Sequence, residues 1–286
     1  MKHSKIFIYL LATVLLLTTG SAQAGYSKNY LKNYISPNKY ASLVVDAGSG
    51  TIIHQENADL HRYPASLTKL MTLYLTFESL KQGKFSMNDT VTVSRHAASQ
   101  PRTNIALRPF EKVTIKNLVQ SLVVVSANDS AVVLAEKIGR SEGNFARIMT
   151  QRAHQLGMKE TNFVNASGLF NPKQITTAKD MAKLMMAMKR DFPQYYGMLS
   201  QKQFSYKGAN YSSHTDLMRN YKGAKAAKTG YVRASGFNVV VGAEKNNKNL
   251  IAVVMGGITA RSRDKLTANL LDQGFSGPRK FAANTR

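Results

Sequence analysis

Three short strings in this chain have the residue types for joint chemistry: Ser66-Leu67-Thr68-Lys69, Ser126-Ala127-Asn128 and Lys228-Thr229-Gly230. On a helix, positions three apart share a face, so the Ser66 hydroxyl and the Lys69 amine can approach hydrogen-bonding distance. Lys69 lies between Leu67 and Leu70, where an unpaired ammonium is expensive. Burial near other cations lowers a lysine pKa and leaves a neutral amine able to accept the serine proton. Ser66 follows Pro64-Ala65 at a helix start, where free N–H groups favour developing negative charge. Ser126 and Asn128 are separated by one small residue, so a corner can aim both into one cleft. The hydroxyl would pass a proton between Lys69 and a leaving amine, and the Asn128 amide would hold a substrate backbone. Lys228, Thr229 and Gly230 add a cation, a hydroxyl and a position with no side chain to block a close backbone approach. A peptide can lie along such a strand edge, its terminal carboxylate meeting Thr229 and nearby cations.

Each string alone has a plainer reading. Ser-x-x-Lys occurs as an N-capping serine with a solvated lysine, Ser-Ala-Asn as a cap between helices, and Lys-Thr-Gly means little in a lysine-rich chain. Together they supply what acyl transfer by an active-site serine needs without a histidine.

The elements that must position them are legible in the periodicity. Ala41 to Asp46 reads as a strand, Ala47-Gly48-Ser49-Gly50 as a turn and Thr51 to His54 as a returning strand. From Ser66 to Leu80 an apolar run leaves almost no polar face, which predicts a helix buried at the centre of a domain. A helix from Asn117 to Val125 runs into Ser126-Ala127-Asn128, helical spacing resumes from Ala131 to Ile138, and the motif therefore sits on a helix-helix corner. Further helices fit Gly143 to Leu156 and Thr177 to Met188, the latter opened by a capping box from Thr177 to Asp180. Ala224 to Val232, Gly236 to Ala243 and Leu250 to Met255 read as strands, and Arg263 to Leu271 as a last helix. Two strands before a helical middle and three after it predict an α+β fold: one antiparallel sheet of five strands with an inserted helical region, in a single discontinuous domain.

Composition narrows the setting. Lys2 and Lys5, the apolar run Ile6 to Leu17 and the small-residue site Ala22-Gln23-Ala24 read as an export signal over residues 1–24, with a mature chain from Gly25. The apolar run is too short for a membrane span of about 20 residues. The remainder divides into a catalytic domain over 25–275 and a basic tail over 276–286. The absence of cysteine excludes disulfides, thiol catalysis and cysteine-bound zinc. The formal charge of +23 falls by two with the signal and remains a strong positive field. It draws the chain toward anions, of which exported nucleic acid is the least accessible, so peripheral contact with membrane or wall is the expectation and nucleic acid is not. His54, His61, His96, His154 and His214 are dispersed with no metal-binding pattern, so no metal site is expected. Gly48-Ser49-Gly50 lacks the rest of a phosphate-binding loop, and no cofactor is expected.

The spacing and surroundings of the three strings resemble the serine D-Ala-D-Ala carboxypeptidases, the low-molecular-mass branch of the penicillin-binding proteins. The likeness runs from about Tyr40 to Phe275. It includes Ser126-Ala127-Asn128-Asp129-Ser130-Ala131, Leu156-Gly157-Met158, Asn165-Ala166-Ser167-Gly168-Leu169, Thr176 to Met181 and Val253-Val254-Met255-Gly256-Gly257. The resemblance implies a β-lactamase/transpeptidase-like fold, with Ser66 as acylated nucleophile, Lys69 as base, and Ser126 with Lys228 in proton transfer. It also implies an oxyanion hole from the backbone N–H groups of Ser66 and Tyr231, and Arg263 beside the substrate carboxylate, with Arg261 close by. The implied substrates are peptidoglycan stem peptides, and β-lactams would be covalent inhibitors. Many relatives add a β-rich domain and a terminal amphipathic helix, and the residues after Phe275 are too few for either.

Three rivals share some of these features. A class A β-lactamase would need a loop glutamate that activates the deacylating water, and Glu160 lies near where that residue would fall. A D,D-endopeptidase would cut peptidoglycan cross-links through the same acyl-enzyme. A non-catalytic basic protein would hold wall polymer by charge alone.

Overall fold

The computed structural model describes residues 34–277 apart from residue 214; the expected export signal and most of the basic tail lie outside these residues. β1 (Ala41–Asp46) and β2 (Ile52–Glu56) form the first hairpin. Its turn is closed by the Asp46 carboxylate, which accepts the N–H groups of Gly48 at 3.0 Å and Ser49 at 2.8 Å. A 3₁₀ turn over Ala65–Thr68 leads into α1 (Lys69–Lys81). Two short strands, β3 (Thr90–Thr92) and β4 (Lys112–Thr114), pair with each other. The helical middle follows as α2 (Ile115–Val124), α3 (Asn128–Gly139), α4 (Glu142–Gln155) and α5 (Ala178–Asp191). A small hairpin of β5 (Gln203–Tyr206) and β6 (Ala209–Ser212) precedes β7 (Ala224–Val232), β8 (Gly236–Lys245), β9 (Lys248–Gly257) and α6 (Ala260–Ser276).

The main sheet runs β2-β1-β9-β8-β7, antiparallel throughout. The first hairpin therefore docks on the last strand, Ala41 opposite Met255 and Val45 opposite Ile251. The expected five-stranded antiparallel sheet with an inserted helical region is what the chain forms. Its strands read as continuous apolar runs because both faces are covered. Val44, Val239, Ala252 and Val254 pack with Leu266, Leu270 and Leu271 of α6. Leu43, Val45, Val240 and Val253 face the other way, into the core shared with the helices.

At the centre of that larger core α1 is buried on nearly all sides, as its sequence predicts. Its polar side chains turn inward onto main-chain acceptors: Thr76 on the Thr72 carbonyl, Ser79 on that of Leu75, and Thr72 on that of Ala166 at 2.7 Å. The helix does not begin at Ser66. Ala65 has φ +51° and residues 65–68 form a tighter turn, so the regular helix starts at Lys69. The two small strand pairs escape sequence reading because strands of three or four residues carry too little alternation to register.

β2 holds a titratable group in the interior. His54 is 6 % exposed, and its Nε2 lies 2.7 Å from the Ser42 Oγ, which lies 2.7 Å from the Tyr40 hydroxyl. Burial depresses the His54 pKa from 6.5 to about 4. The fold therefore requires the neutral ring, and its contribution is intact above the unfolded value of 6.5 and lost as pH falls toward 4. Urea unfolding at pH 7.5 and pH 4.5 should show about 2–3 kcal/mol of stability lost through this group. The loss shrinks in His54→Gln; an unchanged slope in that variant assigns the acid sensitivity to other residues.

Candidate active site

Two glycines and an asparagine shape the turn that carries Ser66. Gly168 has φ +87°, and a Cβ there would stand 1.9 Å from the Ala65 carbonyl oxygen. A Cβ on Gly230 of β7 would stand 2.9 Å from the Ser66 nitrogen and 3.0 Å from the Pro64 oxygen. Gly230 thus lets its strand lie directly against the backbone of the Ser66 turn. Asn238 of β8 bonds the Tyr63 carbonyl at 3.1 Å and accepts the Gly256 N–H at 3.1 Å, tying the approach to Ser66 to the sheet.

Lys69 is fully buried and bonds three oxygens: Ser66 Oγ at 3.1 Å, Asn128 Oδ1 at 2.7 Å and the Ser167 carbonyl at 2.5 Å. The Asn128 orientation follows from its other atom, since Nδ2 donates to the Pro101 carbonyl at 2.9 Å. Burial first, and then the charge of Lys228, hold the Lys69 pKa well below its usual value, with Asp129 pulling the other way. A neutral amine has two N–H groups and one lone pair. Asn128 Oδ1 and the Ser167 carbonyl accept only, so they take the two hydrogens and leave the lone pair for the one partner with a proton to give, Ser66.

Ser126 occupies the corner between α2 and α3, with φ +63°, as the sequence places it. The segment opposite is braced on it: the Thr103 hydroxyl donates to the Ser126 carbonyl at 2.7 Å, and the Asn128 N–H donates to the Thr103 carbonyl at 2.7 Å. Asp129 fastens the same segment by accepting the Ile105 and Leu107 N–H groups, both at 3.1 Å. From β7, Lys228 reaches the Ser126 Oγ at 2.8 Å and the Thr229 carbonyl at 2.9 Å. Burial, then the neighbouring Arg263 charge, lower the Lys228 pKa to about 7.

These groups meet at a cleft of about 930 Å³ whose walls include Ser66, Ser126, Asn128, Thr229, Gly230, Tyr231 and Arg263, with Lys69 and Lys228 beneath its surface. All nine residues singled out from the sequence converge here. Of the two candidates Arg263 lies in the cleft, which Arg102 also lines, and Arg261 lines a separate cavity. Tyr231 stands half-exposed at the rim with its ring 4.3 Å from that of Phe237. The Asn128 carboxamide, expected to hold substrate backbone, has its oxygen on Lys69 and one N–H on Pro101. Among the described residues no carboxylate lines the cleft, and Glu160, the residue a β-lactamase reading would need, is turned outward against His61 at 2.9 Å.

Sequence reasoning misses the supports: Ser167, which acts through its carbonyl, Asn238, Asp129 and Asp264. Asp264 Oδ1 lies 2.8 Å from Nε and 2.7 Å from Nη2 of Arg263, whose Nη1 donates to the Asn238 carbonyl at 3.3 Å. Only Asp129, beside Asn128, and Asp264, beside Arg263, have a sequence signal, and adjacency alone does not show which acids turn inward.

Residues 35–259 match the family model described as D-alanyl-D-alanine carboxypeptidase, peptidase S11. D-alanyl-D-alanine carboxypeptidase DacA of Haemophilus influenzae is 35% identical over 244 residues, covering 84% of this chain and 62% of the relative, so the chain spans about three fifths of that protein. The crystal structure of penicillin binding protein 5 from H. influenzae superposes with a TM-score of 0.80 at 34% identity, covering 82% of this chain and 70% of that one. Penicillin-Binding Protein D2 from Listeria monocytogenes in its ampicillin-bound form gives 0.75 at 29% identity, over 82% of this chain and 96% of that one. With its α+β transpeptidase fold and its motifs gathered in one cleft, this chain belongs to the S11 family of D-alanyl-D-alanine carboxypeptidases.

Proposed function

We propose that the chain is a serine D-Ala-D-Ala carboxypeptidase that removes the terminal D-alanine from peptidoglycan stem peptides through an acyl-Ser66 intermediate. The observation that carries this reading is the buried Lys69 amine, 3.1 Å from the Ser66 hydroxyl and with its other partners able only to accept.

The geometry supports the following course. The substrate C-terminus lies along β7, its carboxylate against Thr229, Lys228 and Arg263. Ser66 Oγ attacks the carbonyl carbon of the penultimate residue while its proton passes to Lys69. The oxyanion meets the backbone N–H groups of Ser66 and Tyr231; support for this pair is the contact of the Gly230 backbone with that of Ser66. As the C–N bond breaks, Ser126, held by Lys228 at 2.8 Å, hands a proton to the departing amine and is replenished from Lys69. Lys69 is then neutral again and takes a proton from the water that attacks the ester. No lining carboxylate among the described residues competes for that role. A β-lactam would acylate Ser66 by the same attack, its ring-opening amine remaining tethered. The export signal puts this chemistry outside the cytoplasm, where the excess positive charge favours contact with an anionic wall or membrane surface.

Incubation with purified muropeptides and mass analysis should show loss of one D-alanine from pentapeptides. Conversion of cross-linked dimers to monomers would assign an endopeptidase instead, and no change in either would leave only a binding role. Labelled penicillin should attach covalently to Ser66 and fail to attach to Ser66→Ala. Lys69→Ala should slow that acylation by a factor on the order of 10²–10⁴, the usual worth of a positioned general base. A lysine of lowered pKa is charged below that pKa and neutral above it. KM for a carboxylate-terminated substrate should therefore rise as pH climbs through about 7, where free Lys228 loses its charge. A KM flat from pH 6 to pH 9 would remove Lys228 from carboxylate binding.

A further inference from the structure

We infer that Asp264 is a positioning residue for recognition of the substrate's terminal carboxylate, acting through Arg263. The inference rests on the carboxypeptidase reading above. Arg263 is 2 % exposed yet contributes to the cleft wall, so its guanidinium is held rather than swinging in solvent. Asp264 supplies that hold on one edge, with Oδ1 at 2.8 Å from Nε and 2.7 Å from Nη2, while Asn238 takes Nη1 from another side. The carboxylate is itself fixed by the Leu217 N–H and is only 13 % exposed. Asp264 is absent from the walls of the catalytic cleft. It borders a separate cavity of about 830 Å³, together with Asp216, Arg261 and Lys265.

Two consequences follow for binding. A guanidinium already locked in place loses less side-chain freedom when a carboxylate arrives. The charge matters as well: Arg263 and Lys228 repel one another across the carboxylate end, and Asp264 is an acid in direct contact with Arg263. Without its negative charge the repulsion is unrelieved and the guanidinium is driven out of the position that a substrate reads. Asp264 touches neither Ser66 nor the cleft, so its removal should weaken ground-state binding and leave the chemical step nearly intact.

A double-mutant cycle of Arg263→Ala and Asp264→Asn tests this. It is read as KM and kcat on a D-Ala-D-Ala-terminated peptide and, in parallel, as the rate constant for acylation of Ser66 by benzylpenicillin, which also carries one carboxylate. Asp264→Asn should raise KM about tenfold with kcat within about twofold, lower the second-order acylation constant by a similar factor through weaker binding, and add nothing to Arg263→Ala. Asp264→Glu, which keeps the charge, should recover most of the loss, and thermal melting separates either variant from one that fails to fold. An unchanged KM, or losses that add in the double variant, overturn the inference. If the unaltered protein is acylated by benzylpenicillin but releases no D-alanine, the carboxypeptidase reading falls while the acylation cycle still decides the role of Asp264. If it does neither, both fall.

Discussion

A lysine amine enclosed in protein, its ammonium form disfavoured there, and set against one hydroxyl is the condition on which the rest of this molecule depends. In water an amine of that kind is protonated at neutral pH and useless as a base. Here the surroundings work against the ammonium in two ways: burial removes water, and a second cation, Lys228, adds its charge. Both influences raise the energy of the ammonium, and two acceptors that cannot donate settle which way the remaining lone pair faces. What sets Ser66 apart from other serines is therefore its enclosure.

The enclosure draws on every part of the chain. The base itself opens α1, one acceptor begins α3, the other is a main-chain carbonyl in the loop between α4 and α5, and the opposing cation comes from β7. Close packing of main chain on main chain brings these together, and only glycine permits it at residues 168 and 230. At Gly230 the missing side chain makes room for the nucleophile's own turn. The cleft wall formed by β7 is therefore already seated against the Ser66 turn.

Much of this is legible in the residue order because the elements are strongly patterned. α1 betrays its central place by lacking a polar face, and the strands of the main sheet by apolar runs that reflect burial on both sides. The corner at Ser126 follows from residue type and spacing, and the convergence of the three motifs from the family resemblance they carry. What stays hidden depends on contacts made over long stretches of chain. The Ser167 contribution is a carbonyl and leaves no trace in the residue's identity. Ala65 adopts a left-handed conformation that no local signal requires, because the turn is compressed by neighbours far away in sequence. Asp129 and Asp264 look like any other surface acids until the fold turns them toward main-chain N–H groups and a guanidinium.

The pairing of β1 with β9 has an implication for how this protein comes into being. The first strand cannot complete its ladder until the last one arrives, some two hundred residues later, with Ala41 set against Met255. Chain closure of that reach is slow to be rewarded, because the entropy is surrendered before the contacts form. A growing chain would carry its serine and lysine long before it carried the strand that completes the sheet. The cleft is then assembled late, and a product cut short before β9 would lack the strand on which β1 docks.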